Sequence, residues 1–292
     1  MPILDVRNLT KRFVRRGGLF RASTVVHAVN DVTFAIEEGE MFGLVGESGS
    51  GKSTTGRCIL RLVEPSGGTV LFRGEDVVPS AAARIRALRR DMQIIFQDPY
   101  SSLNPRMRVG EIIEEPFVIH AVGSRGDRRA RVLDLLRLVG LDAAHAARYP
   151  HEFSGGQRQR IGIARAIALN PAFVIADEAV SALDVSIQAQ VVQLLVELKE
   201  RLNLTFLFIA HDLRLVEDIC GRVAVMYRGR IVEMGATASL FASPLHPYTR
   251  TLLSAVPSLD PDAKRNRLEL DPNSFDVHAP LREVQPGHWA RT

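Results

Sequence analysis

A short apolar strand that runs into a glycine-rich turn ending Lys-Ser constrains this chain more than any other stretch. Glu40 to Val45 reads as a buried strand, and Gly46-Glu47-Ser48-Gly49-Ser50-Gly51-Lys52-Ser53 follows it, fitting the GxxxxGK[ST] pattern. A helix is expected over Ser53 to Val63, stopped by Pro65-Ser66-Gly67-Gly68. Glycines let successive backbone N–H groups point inward, and the helix N-terminus adds positive potential for phosphate oxygens. Lys52 is expected to reach the β and γ phosphates of a nucleotide and the Ser53 hydroxyl to ligate Mg²⁺, with Thr54 in the same nucleotide-contacting run. A glycine-rich turn that ends in Lys-Ser by chance would not need the strand before it and the helix after it.

A second strand end carries acid. Phe173-Val174-Ile175-Ala176 is wholly apolar and leads into Asp177-Glu178. Carboxylates at the C-terminal end of a strand in a parallel sheet lie beside the crevice where ligands bind. Asp177 is expected to complete the Mg²⁺ site begun by Ser53, and Glu178 to orient or deprotonate the attacking water. Two charged residues opening an exposed loop is the plainer alternative, and the phosphate loop upstream argues against it.

The rest of the chain has the pattern of an α/β protein with a largely parallel sheet, short Val/Ile/Phe-rich runs alternating with segments of helical period. Thr205 to Ile209 is a further strand, and apolar residues at 187, 191, 194, 195, 198 and 202 mark one face of a helix. Between Pro99 and His151 helical patterns such as Val132, Leu135, Leu136, Leu138 and Val139 dominate, so a helical subdomain is expected inside the α/β core. Beyond about Asp260 the chain turns polar and proline-punctuated, and a loosely packed tail is expected. No apolar run approaches the ~18 residues of a membrane span. Met1-Pro2-Ile3-Leu4-Asp5 has no basic segment leading into an apolar one, so no signal peptide is expected. Cys58 and Cys220 are the only cysteines and lack metal spacing, which speaks against a disulfide framework or a zinc site. Net charge is +4, with basic residues interleaved with acidic ones, and the densest basic stretches, Lys11 to Arg21 and Arg84 to Arg90, read mainly as solvated surface.

Phe153-Ser154-Gly155-Gly156-Gln157-Arg158-Gln159-Arg160 narrows the choice among nucleotide hydrolases. It resembles the ABC signature, usually LSGGQ, with Phe153 in the leucine slot. The resemblance implies a P-loop NTPase cassette with a RecA-like core sheet, an antiparallel β subdomain and an inserted helical subdomain. It also implies a head-to-tail dimer in which Ser154, Gly155, Gly156 and Gln157 close over ATP held by the opposite cassette. Gln97 resembles the Q-loop glutamine that contacts Mg²⁺ or its water. Ser181-Ala182-Leu183-Asp184 resembles the D-loop, with Asp184 at the dimer interface, and His211 the switch histidine on the γ phosphate. Phe13 is the expected adenine platform, with Phe20 and Phe34 as competitors.

Gln97-Asp98-Pro99-Tyr100-Ser101-Ser102-Leu103-Asn104-Pro105, Tyr149-Pro150-His151-Glu152-Phe153 and His246-Pro247-Tyr248-Thr249-Arg250 resemble the oligopeptide and dipeptide importer ATPases, in particular the second of their two cassettes. Residues 1–258 are covered as the cassette, with the helical insertion at about 99–155 and residues 259–292 as the tail. The resemblance implies an ATP hydrolase on the cytoplasmic face of the inner membrane. Its implied partners are two permease chains, a second and non-identical ATPase and, indirectly, an extracytoplasmic binding protein, with no nucleic acid. Importers of nickel, glutathione or opines remain open as alternatives, as does a soluble ABC ATPase. Two departures stand out. Ala179 occupies a position where the family commonly has proline, which is expected to loosen the loop carrying Glu178 and slow turnover without abolishing it. The tail lacks the cysteines associated in some relatives with an iron–sulfur cluster, so no cluster is expected.

Overall fold

The structure, a computed structural model, describes residues 1–15, 24–255, 268–271 and 274–292. These divide into two compact units, residues 1–79 with 207–292, and residues 80–206.

In the first unit the chain opens with β1 (Leu4–Arg15) and β2 (Thr24–Ile36), an antiparallel pair in which Leu4 faces Ile36 and Phe13 faces Val26. The strand β3 (Met41–Val45) is buried at every residue, as expected for a strand covered on both faces. It feeds α1 (Lys52–Ile59), shorter than the expected Ser53–Val63. Arg61 takes a left-handed conformation, φ 47°, and its guanidinium is held by Glu64, so the backbone leaves the helix before Pro65 is reached. The strands β4 (Gly67–Phe72) and β5 (Glu75–Asp76) complete an antiparallel sheet of order β2-β1-β4-β5.

The second unit is mainly helical. It contains α2 (Ala82–Leu88), β6 (Met92–Ile95), α3 (Pro99–Ser102), α4 (Val109–Ile119), α5 (Arg125–Leu138), two 3₁₀ turns, α6 (Gly155–Ile167), β7 (Phe173–Asp177) and α7 (Val185–Leu202). β6 and β7 are parallel neighbours, Met92 facing Phe173 and Ile95 facing Ala176. α5 buries Val132 and Leu136 of its apolar pattern, with Val139 buried just beyond it. α7 buries Val191, Leu194, Leu195 and Leu198 of the stripe read from the sequence.

β8 (Thr205–Ala210) carries the chain back into the first unit, followed by α8 (Leu213–Ile219), β9 (Arg222–Tyr227), β10 (Arg230–Ala236), α9 (Thr237–Ala242), α10 (Pro247–Ser254), β11 (Arg282–Gln285) and β12 (His288–Ala290). Within this unit the second sheet runs β11-β12-β10-β9-β3-β8. β3 and β9 are parallel, with Leu44 facing Ala224, while β10 and β12 extend the sheet antiparallel. The last strands correct one expectation. Residues 282–291 are not a loosely packed tail: β12 pairs with β10, and His288, Ala290 and Arg291 are buried. Sequence polarity misled here because the polar side chains are satisfied by specific partners. His288 meets Glu233, and Arg291 donates to the carbonyl oxygens of Ile231 and Ala279.

Candidate active site

In the first unit the phosphate loop follows directly on β3, and its glycines are required by contacts as well as by φ. Gly46 has φ 148°, and a Cβ there would stand 2.2 Å from the Met226 carbonyl oxygen. Gly51, the N-cap of α1, has φ 110°, and a Cβ would stand 2.2 Å from the Ala28 carbonyl oxygen. Any side chain at either position would have to displace backbone, so the loop is locked between β2 and β9. Lys52 is buried and lies back along the loop, donating to the carbonyl oxygens of Gly46 at 2.7 Å and Glu47 at 3.0 Å. Gly229 N–H donates to the Ser50 carbonyl at 2.8 Å, and Ser50 N–H to that of Glu47 at 3.1 Å. The Ser50 hydroxyl is buried without a hydrogen-bond partner among the described residues. A glycine-walled loop with an orphaned hydroxyl and a lysine laid across it fits a polar, anionic ligand. His211 stands exposed at the C-terminal end of β8, followed by Asp212, which caps α8 by accepting from the Arg214 N–H.

Of the aromatic candidates, Phe34 is excluded by packing: it is buried and stacked on Phe42 at 5.3 Å. Phe20 lies outside the described residues. Phe13 remains, 43% exposed on β1, with the Lys11 ammonium 4.9 Å from its ring centroid. An aromatic face left open to solvent with a cation beside it suits a flat ligand carrying anions.

The second unit gathers the remaining candidates. Asp177 closes β7 and is buried, whereas Glu178 turns out of the strand with φ 48°. A left-handed glutamate costs of order 1 kcal/mol, so local bonds must hold it. Two do: Ser181 donates to the Glu178 carbonyl oxygen through its N–H at 3.1 Å and its hydroxyl at 3.0 Å. The Glu178 carboxylate also accepts from the Gln97 side-chain amide at 2.9 Å, joining two residues 81 positions apart in sequence. Ala179 behind it is buried.

Ser154 caps α6 reciprocally: its hydroxyl accepts from the Gln157 N–H, and the Gln157 side chain accepts from the Ser154 N–H at 3.1 Å. The glycines after it permit close packing. A Cβ on Gly156 would stand 2.4 Å from Ile187 Cγ2, and one on Gly155 would stand 3.4 Å from Leu183 Cδ2. The signature turn therefore rests on the segment containing Asp184, which N-caps α7 and is exposed. α6 also grips the segments on both sides of Gln97. Gln159 reaches the Phe96 carbonyl, Arg165 donates to the Ser102 carbonyl at 2.6 Å, and Arg158 lies 3.8 Å over the Tyr100 ring. Burial holds the Arg165 guanidinium below its ordinary pKa, and the Tyr100 N–H holds the Asp98 carboxyl below its own. Sequence reading had not singled out Arg158, Gln159 and Arg165 for this, although the i, i+7 spacing of Arg158 and Arg165 puts those two on one helix face.

Asp177 and Gln97 in the second unit offer a carboxylate and an amide oxygen, and Ser53 in the first offers a hydroxyl, each by itself a hard oxygen donor of the kind Mg²⁺ takes; no His/Cys/Asp/Glu cluster of metal-binding kind occurs among the described residues.

Comparison with known proteins agrees with these features. The ABC transporter family model matches residues 29–181, just over half of the chain, and the model "oligopeptide/dipeptide transporter, C-terminal region" matches residues 232–280. The glutathione import ATP-binding protein GsiA of Salmonella choleraesuis (strain SC-B67) is 52% identical over 299 aligned positions, covering 99% of this chain and 48% of that protein. The chain thus spans about half the length of the curated relatives it matches. Among solved structures, the dimeric post-hydrolysis state of the ATP-binding cassette MJ0796 bound to ADP and Pi superposes with a TM-score of 0.71 at 30% identity, covering 80% of this chain and 98% of that one. The cbiO1 cassette of Clostridium perfringens, part of the cbiONQ transporter complex, gives 0.71 at 27% identity, covering 83% and 91%. The glycine-walled phosphate loop, the capped Ser154-Gly155-Gly156 turn and these matches together establish that the chain belongs to the ABC transporter family, with the P-loop cassette fold of that family.

Proposed function

We infer that the chain is the ATP-binding and hydrolysing subunit of an importer for small peptides, peripheral on the cytoplasmic face of the membrane and working through separate permease chains. The observation that carries the ATP-binding half of this reading is the phosphate loop, whose glycines at 46 and 51 leave no room for a side chain and whose lysine is already in register. In this reading Gly46 to Thr54 cradle the triphosphate with backbone N–H groups and the Lys52 ammonium, and Phe13 carries the adenine. Ser53, Asp177 and Gln97 would hold Mg²⁺, which would supply neutralisation of the phosphate charge. Glu178 accepts a proton from the attacking water or orients it, and His211 donates to the γ phosphate. Ser154, Gly155, Gly156 and Gln157 would present a helix N-terminus to ATP held by an opposing cassette, with Asp184 beside them. Binding closes the pair and drives the permeases; hydrolysis reopens it. The match of residues 232–280 and the resemblance to glutathione import ATPases support a short peptide as cargo, glutathione included. No helix among the described residues is long and apolar enough to cross a membrane.

The test contrasts two variants. Lys52→Ala should weaken ATP binding about 10- to 100-fold, the scale of a lost charge-assisted contact. Glu178→Gln should leave ATP bound and cut turnover about 10²- to 10⁴-fold. A membrane pull-down of tagged Glu178→Gln with ATP should then recover a second cassette and permease chains. Unchanged ATP turnover in Lys52→Ala would sink the site, and recovery of ribosomes or nucleic acid instead of membrane chains would sink the importer.

A further inference from the structure

The phosphate loop is held from outside by a residue far along the chain. The Tyr248 hydroxyl accepts a hydrogen bond from the Glu47 backbone N–H at 3.0 Å, although the two are 201 positions apart. Tyr248 is fully buried, and its ring lies 4.4 Å from that of Tyr227 at an interplanar angle of 43°. Its position is set by a network of buried polar groups. Glu233 on β10 accepts from the N–H groups of Leu245 and His246 at 2.8 and 2.9 Å and meets His288 Nε2 at 2.8 Å. A fully buried carboxylate persists only when so satisfied, and here its partners fix the start of α10. His246 N-caps that helix by accepting from the Tyr248 N–H at Nδ1, and Pro247 sets the first helical φ. β12, which carries His288, is paired to β10 behind this cluster.

The loop is thereby pinned at two backbone points, the Glu47 N–H by Tyr248 and the Ser50 carbonyl by the Gly229 N–H. Both anchors come from elements after β8. We propose that Tyr248 is a positioning residue for the nucleotide site, and that α10 with its Glu233–His288 support sets nucleotide affinity by holding the phosphate loop in its binding shape. Preorganisation lowers the ordering cost of binding, so its loss appears in affinity before it appears in chemistry. This rests on the reading of residues 46–54 as the ATP-phosphate cradle.

The experiment uses the full chain, with Mg-ADP binding measured by calorimetry and ATP turnover by phosphate release. Tyr248→Phe keeps the ring and removes the acceptor. Mg-ADP affinity should fall about three- to ten-fold, the scale of one hydrogen bond. KM for ATP should rise by the same factor, with kcat within two-fold. In the unsubstituted chain without nucleotide, the Glu47 amide should be protected from hydrogen exchange, and Tyr248→Phe should release it. Unchanged Mg-ADP affinity in Tyr248→Phe, while Lys52→Ala weakens it, would overturn the role of Tyr248 alone. Unchanged affinity in both would overturn the phosphate cradle and this proposal with it. A freely exchanging Glu47 amide in the unsubstituted chain overturns the proposal however the variants fold.

Discussion

The phosphate loop in the first unit and the acidic strand end in the second are built on opposite principles. In the loop, shape is enforced by backbone packing: carbonyl groups of Met226 and Ala28 fill the space that side chains would take at Gly46 and Gly51, and Lys52 is buried. Of the two acids at the strand end only Asp177 is buried. Glu178 is held in a left-handed conformation by Ser181 and by the side chain of Gln97, and Gln97, Ser154 and Asp184 are exposed. A group that binds a charged ligand gains from being fixed in advance. The groups that, under the proposed function, act on the ligand or meet another chain are here held by a few side-chain hydrogen bonds. Position 156 lies between the two extremes, since its neighbour is a side-chain methyl of Ile187 rather than backbone.

This contrast is open to test. The largest effect is expected at Gly51→Ala, where strain at φ 110° adds to a backbone clash. It should cost about 1–3 kcal/mol of stability by denaturant melt and remove most ATP binding. Gly156→Ala should cost about 1 kcal/mol, because the obstruction is one Ile187 methyl rather than backbone and alanine's higher helix propensity offsets part of the strain, and it should leave ATP binding by the isolated chain intact. Equal losses at the two positions would break the distinction between backbone-enforced and side-chain-held regions. Phe13→Ala is expected to weaken ATP binding by about two- to ten-fold, the range of one aromatic stacking contact, with thermal stability nearly unchanged because the ring is 43% exposed. An unaltered affinity would remove Phe13 as the adenine platform.

A separate effect concerns pH and the anchor of α10. Burial, followed by the charges of Arg291 and Arg250, pushes the His246 imidazole from its ordinary 6.5 down to about 4. The folded chain therefore keeps His246 neutral while the unfolded chain protonates it. Its contribution to stability is complete above about pH 6.5 and is lost as pH falls toward 4. The neutral ring suits its contacts, with Nδ1 accepting from Tyr248 and the ring edge-on to Phe275 at 4.4 Å. In melts at pH 7 and pH 5, His246→Asn, which keeps an N-cap acceptor, should lose less stability on acidification than the unsubstituted chain. An equal loss in both would assign the acid sensitivity to other groups.

What was legible in the sequence was local. The strand–glycine–lysine–helix succession announced the phosphate loop, because each residue's role there depends on its neighbours in the chain. The apolar stripe of α7 and the strand ahead of Asp177 were legible for the same reason, a period of 3.6 or an unbroken apolar run. The Ser154 cap could be read because its partner lies three residues away. Helix α1 was expected to run too far, since nothing in residue type marks Arg61 for a left-handed turn.

Other features were decided by tertiary structure alone. Phe34 and Phe13 are the same residue type on neighbouring strands, and only packing shows that one is sealed against Phe42 and the other open. The contact of Gln97 with Glu178 spans 81 positions, and that of Tyr248 with Glu47 spans 201. The polar closing segment reads as tail until β12 is seen paired to β10 with His288 against Glu233. Residue chemistry along the chain determined which groups could bind phosphate, hold a metal or move a proton. Which of them are buried, and against what, depended on long-range closure of the chain, because burial and hydrogen-bond partnership belong to pairs of segments and are not encoded in either segment alone.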